Sequence, residues 1–110
     1  MIAPAQAFGE DAVLVAVSGE LTFANVGELR AVLSGALNGD RSRLVVDITE
    51  VEFLDSSAMS ALLTTSVEAG RDGHSVAVVH AGDEPPSIFR FKGVERLLRL
   101  YPSRAAAVHG

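Results

Sequence analysis

Residues 44–63 read Leu44-Val45-Val46-Asp47-Ile48-Thr49-Glu50-Val51-Glu52-Phe53-Leu54-Asp55-Ser56-Ser57-Ala58-Met59-Ser60-Ala61-Leu62-Leu63, and the hydrophobic period changes once within them. Residues 44–48 are mostly apolar and β-branched, the pattern of a strand short enough to be central in a sheet, and Val51-Glu52-Phe53-Leu54 continues toward a turn. After Asp55-Ser56-Ser57 the stripe Met59, Leu62, Leu63, Ser66 and Val67 has helical spacing and closes near Gly70 or Gly73. Asp and Ser are favoured at helix starts because their side-chain oxygens accept from amides that the first turn leaves unpaired. A strand, a polar turn and a helix in this order reverse the chain and begin an α/β unit.

The same alternation extends both ways. Upstream, the apolar run at residues 12–17 closes at Ser18-Gly19 and predicts a buried strand, with a weaker one around residues 5–8. From Asn25, the positions Val26, Leu29, Val32, Leu33, Ala36 and Leu37 predict an amphipathic helix that ends at Asn38-Gly39-Asp40. Downstream, residues 75–79 predict a further strand, Gly82-Asp83-Glu84-Pro85-Pro86 a loop, and Ile88, Phe89 and Phe91 a short helix ended by Gly93, with Pro86 suited to a first turn. Residues 96–101 predict a strand and residues 103–108 a closing helix. Strands alternating with helices specify an α/β sandwich: a four- to five-stranded mixed sheet with about four helices largely covering it.

Composition bounds the function. The chain has 110 residues, 48% of them hydrophobic and 21% charged, which suits one domain over residues 1–110 with its own core. Nine Lys and Arg against fourteen Asp and Glu leave a net charge of −5, which repels nucleic-acid phosphates and anionic membranes. The first basic residue is Arg30, so no positive region precedes an apolar segment as in a secretory signal. The longest apolar run, residues 12–17, is far short of the ~20 residues that span a bilayer, so no membrane insertion and a cytoplasmic location are expected. There is no cysteine, hence no disulfide and no thiolate site. His74, His80 and His109 offer no pair at i, i+4, and no phosphate-loop glycine pattern occurs, so no metal or cofactor is expected. A serine hydrolase would need glycines around Ser56, where Leu54 and Ala58 stand instead. The reading is of a protein that is not an enzyme.

What remains is the junction itself. Asp55-Ser56-Ser57 offers more polar side chains than one cap requires. A phosphate at a helix start meets unpaired amides and the positive end of the helix dipole, so the domain tolerates it. A partner that had packed against the neutral hydroxyl meets instead about −1.5 to −2 charges beside the Asp55 carboxylate, and burying them is costly unless cations answer. Such a site can switch binding while the fold hardly changes. A plain helix cap is the simpler reading of Ser56. Asp47, at the end of the first strand part, suits a turn hydrogen bond as well as a partner contact.

Residues 44–63 resemble the signature of STAS domains, the bacterial anti-sigma-factor antagonists. Gly19-Glu20-Leu21 before the first long helix, and Ile88-Phe89 with Gly93-Val94 before the last strand, support the resemblance, which covers essentially the full length. It implies a protein-binding switch in which an anti-sigma factor that is also an ATP-dependent serine kinase phosphorylates the serine after the aspartate, here Ser56. The unmodified protein would bind that kinase and free the sigma factor, the phosphorylated one would not, and a phosphatase would reset the cycle. On the same resemblance, Asp55 flanks and orients the site, Ser57 caps the helix, and the loop Glu20-Leu21-Thr22-Phe23 adds to the docking surface. A constitutive STAS subunit of a larger complex, a lipid-transport ABC system or a stress-signalling scaffold, is the alternative. Most family members have Gly at Ala58, commonly Gly at Ser60, and many an acidic residue at Thr22; the added methyl and hydroxymethyl are expected to alter the face a kinase approaches.

Overall fold

The apolar runs at residues 12–17, 44–48 and 75–79 become the inner strands of one sheet in a computed structural model that describes residues 1–90 and 94–109. The strands are β1 (Gln6–Phe8), β2 (Ala12–Leu21), β3 (Arg43–Leu54), β4 (Ser75–Val79) and β5 (Arg99–Tyr101). Between and after them lie α1 (Val26–Leu37), α2 (Ser56–Arg71), a 3-10 turn (Ser87–Arg90), α3 (Val94–Leu97) and α4 (Arg104–His109). Spatial order follows chain order, β1-β2-β3-β4-β5. β1 pairs antiparallel with β2, and every later pair is parallel. Parallel neighbours cannot be joined by a tight turn, so α1, α2 and the segment with the 3-10 turn and α3 serve as crossovers. The α/β architecture with a five-stranded mixed sheet is the one expected from the sequence.

Alternation along the strands splits the core in two. Val15, Val17, Leu44, Val46, Ile48, Val76 and Val78 pack with Leu29 and Leu33 of α1, Leu62 of α2, and Phe89, Val94 and Leu98. Leu14, Val45, Ala77 and Val79 face the other way and meet Ala107 of α4. Burying a large aliphatic side chain contributes about 1.5–3 kcal/mol, and Leu14, Leu29, Leu33 and Leu62 are fully buried. The two long helices therefore hold one face, and the short closing helix lies on the other.

Several boundaries differ from the sequence reading. β2 does not stop at Ser18-Gly19 but runs to Leu21, with its register against β3 shifting between Ala16 and Ser18 and again between Gly19 and Glu20. Gly19 has φ +78°, and its freedom at positive φ lets the strand absorb the irregularity rather than end. Arg96 and Leu97 belong to α3, and the last strand begins at Arg99. Phe91 and Gly93, read as the end of a short helix, lie outside the described residues. Gly73, also at φ +78°, lets the chain leave α2: the His74 amide donates back to the Ala69 carbonyl at 2.8 Å, closing the helix.

Asp47 does make a turn hydrogen bond, accepting from the Thr49 amide at 2.8 Å. It is also buried and paired with Arg104 of α4, Nε to Oδ2 at 2.5 Å. Burial pushes the Asp47 carboxyl up, but the Thr49 amide and the Arg104 guanidinium outweigh it and hold the group below its ordinary value. Its role is thus to fasten α4 to the sheet.

Candidate functional site

The C-terminal end of β3 delivers Asp55 in an extended conformation, φ −97° and ψ −179°, and α2 begins at the next residue. That backbone geometry makes Asp55 the N-cap. Its Oδ1 accepts from the Ala58 amide at 3.1 Å, and its carbonyl accepts from Met59 at 3.1 Å to start the helical ladder. Ser57 is therefore not the cap, as the resemblance implied, and neither is Ser56. Both already have helical backbone, and the position whose side chain can reach back to the first free amides is taken by Asp55.

The other carboxylate oxygen of Asp55 works across the site. Oδ2 accepts from the Phe23 amide at 3.0 Å, and the Asp55 amide donates to the Leu21 carbonyl at 3.1 Å. The loop between β2 and α1 is thereby tied to the first turn of α2. Within that loop, the Thr22 amide donates to Asn25 Oδ1 at 2.9 Å, and Asn25 Nδ2 donates to the Glu20 carbonyl at 2.8 Å. Thr22 Oγ1 accepts from the Ala24 amide at 3.2 Å. Asn25 precedes α1 but spends its side chain on this loop rather than on the helix.

This network leaves Phe23 in solvent, with 77% of its surface exposed. Ser56 is also exposed, and among the described residues its hydroxyl has no hydrogen-bond partner; Ser57 is half-buried. Glu20 is exposed and lies in register with Phe53. The structure thus joins Asp55 directly to Phe23 and Leu21, holds Thr22 in the same loop, and sets Ser56 at the exposed first position of the helix. Ala58 is fully buried, so its methyl lies in the core and does not alter the approach face; Ser60 is exposed, one turn beyond Ser56.

Two contributors escaped the sequence reading. Asn25 is legible only as the start of a helix, because its bonds to the Thr22 amide and the Glu20 carbonyl depend on how the loop folds. Phe53 is 54% exposed at the end of β3, a placement that follows from an aromatic next to Glu50 and Glu52 rather than within an apolar run. Among the described residues, no group of three His, Asp or Glu side chains is placed to hold a metal ion. No helix among them is long and apolar enough to cross a membrane.

A family model described as "Mlab, STAS domain" matches residues 5–100. Among solved structures, an anti-sigma factor antagonist from Mycobacterium paratuberculosis superposes with a TM-score of 0.86 at 23% identity, covering 99% of this chain and 91% of that one. The unphosphorylated form of the anti-sigma factor antagonist SpoIIAA matches with a TM-score of 0.78 at 18% identity, over 98% of this chain and 93% of that one. The phosphorylated form of the Bacillus cell fate determinant SpoIIAA gives 0.74 at 18%, over 99% and 97%. At these identities the solved structures establish a common fold.

Proposed function

The chain belongs to the STAS domain family, and from that premise we propose that it is an anti-sigma-factor antagonist whose binding is switched off by phosphorylation at Ser56. Residues 1–110 act as one STAS unit that docks on an anti-sigma factor with serine-kinase activity, in the cytoplasm, and so regulates sigma-factor-dependent transcription. A phosphatase restores the binding form. The domain itself performs no catalysis and takes no cofactor.

The observation that carries this reading is the exposed, unpartnered hydroxyl of Ser56 beside a carboxylate already committed to structure. A kinase reaches that hydroxyl without breaking a cap, because Asp55 is the cap. The phosphate then gains the positive end of α2, worth about 0.3–1 kcal/mol for an exposed charge, so the fold survives the modification. The docking surface does not. It carries Asp55, Ser56, Ser57, Glu20, Thr22 and Phe23, and a phosphate adds about −1.5 to −2 charges at its centre. Phe23 supplies an apolar anchor for the unmodified state. Two forms of SpoIIAA, phosphorylated and unphosphorylated, have this fold, which agrees with a switch that leaves the scaffold intact.

Ser56→Ala is expected to bind the anti-sigma kinase constitutively, and Ser56→Asp at least about tenfold more weakly, measured by calorimetry with the purified kinase. Equal affinities of the two variants would sink the proposal. The matching family model is described as Mlab and names no antagonist, which favours a second reading: a constitutive STAS subunit of a lipid-transport ABC system or a stress-signalling scaffold. Purification from native cells separates the two by the companion recovered, a transporter ATPase or a serine kinase.

A further inference from the structure

The ladder between β3 and β4 ends at Asp47↔Val79, whereas the ladder between β2 and β3 continues as far as Leu21↔Leu54. Among the described residues, residues 48–54 of β3 therefore have a neighbouring strand on one side only. In a parallel ladder alternate residues direct their N–H and C=O to opposite sides, so about half of this segment's backbone groups point away from β2. Among the described residues, no backbone bond from a turn or loop reaches them, and the Thr49 amide alone is taken, by the Asp47 carboxylate. The segment that passes opposite contains Pro86, which has no N–H to give, and it leaves a cleft of about 280 Å³. Val51, Phe53 and Leu54 form one wall of that cleft, Pro86 and Ile88 the other.

We infer that this free edge of β3 is a docking site for an extended segment of a partner protein, added as a further strand, with basic side chains facing Glu50 and Glu52 and an apolar side chain in the cleft. Strand addition supplies affinity through main-chain hydrogen bonds and specificity through alternate side chains. The cleft is mostly apolar, with Glu52 and Ser87 as its polar lining, and is of a size for one or two aliphatic side chains, which suits the every-second-residue spacing of an added strand. Charge fixes the class of occupant. Free edges are commonly guarded by charged residues, and here both exposed guards, Glu50 and Glu52, are acidic. A second copy of this chain would set these carboxylates against their own kind, which is destabilising across a strand pair. A lysine- or arginine-bearing segment answers them instead. This site goes beyond the Ser56 switch and requires no phosphorylation, although the added strand would finish at Leu54, next to Asp55.

The test uses the full chain labelled with 15N and a blocked hexapeptide of alternating lysine and valine, with its glutamate–valine counterpart as control. The lysine peptide is expected to shift the amide signals of residues 50–54 saturably and to slow hydrogen exchange at those whose amides face away from β2. The surface double substitution Glu50→Lys and Glu52→Lys, which removes no buried contact, is expected to weaken this binding about tenfold. Absence of saturable shifts at millimolar peptide overturns the inference, as do shifts that map elsewhere, or equal binding of the glutamate peptide. Concentration-dependent broadening of residues 50–54 without peptide would give the edge to a second copy and likewise overturn it. Because no kinase enters the experiment, failure here leaves the Ser56 switch standing, and failure of the switch leaves this result untouched.

Discussion

The carboxylate of Asp55 has two oxygens and gives one to each side of the junction, Oδ1 to α2 and Oδ2 to the loop that carries Phe23. Losing both bonds in Asp55→Ala removes an N-cap, which costs about 0.5–2 kcal/mol, and frees the Phe23 amide. The expected result is a loss of about 1–2 kcal/mol in urea unfolding, together with faster hydrogen exchange at Phe23. Unchanged exchange at Phe23 would show that the Asn25 bonds and the backbone bond to the Leu21 carbonyl hold the loop without the carboxylate. The run Asp-Ser-Ser announces a capped helix start but not which residue caps it, because both side-chain types serve. The choice was decided by where the strand's extended backbone stops, a fact of register and not of residue type.

α2 shows what the element scale adds. Its stripe Met59, Leu62, Leu63 and Val67 announced a helix, yet Val67 is 40% exposed, because the α2 surface is wider than the part that α1 and the sheet cover. Ala58 sits in its first turn, fully buried. Ala58→Gly is expected to cost about 2 kcal/mol in thermal or urea unfolding, roughly 1 from helix propensity and 0.8 from the buried methyl. A neutral outcome would mean that the first turn gains nothing from rigidity. Strand ends were the least legible elements. Gly19 reads as a terminator and instead carries β2 through a register shift, since a glycine at positive φ and a glycine at a turn look alike in sequence. Arg96-Leu97 reads as strand because its neighbours Leu98 and Leu100 are apolar under either period. The overhang of β3 was half legible: Val51-Glu52-Phe53-Leu54 promised continuation, but only the shorter partner β4 makes that continuation an edge.

At the scale of the whole molecule, the sheet is held on its second face by a six-residue helix, which a single apolar contact surface around Ala107 would secure poorly. Arg104 supplies the fastening through Asp47, and Arg43 adds bonds from its Nη1 to the Ala107 and Val108 carbonyls. Arg104→Ala leaves the Asp47 carboxylate buried with the Thr49 amide but no cation, and is expected to cost about 2 kcal/mol at neutral pH, the pair being half-open on the arginine side. The same pair sets a pH dependence whose sign is fixed. The folded Asp47 carboxyl titrates below its unfolded value of about 3.9, so the unfolded chain binds more protons between the two values and stability rises with pH there. The contribution is fully present above about pH 4 to 5 and is lost as pH falls through the folded value. Urea unfolding of the native chain and of Asp47→Asn, followed from about pH 7 down to pH 2.5, should show a stability difference that is steady at the upper end and shrinks on acidification. A difference that stays constant to the lowest pH would mean that Asp47 takes up its proton alike in the folded and unfolded states. The closing helix would then owe its place to Ala107 and to Arg43, not to the ion pair.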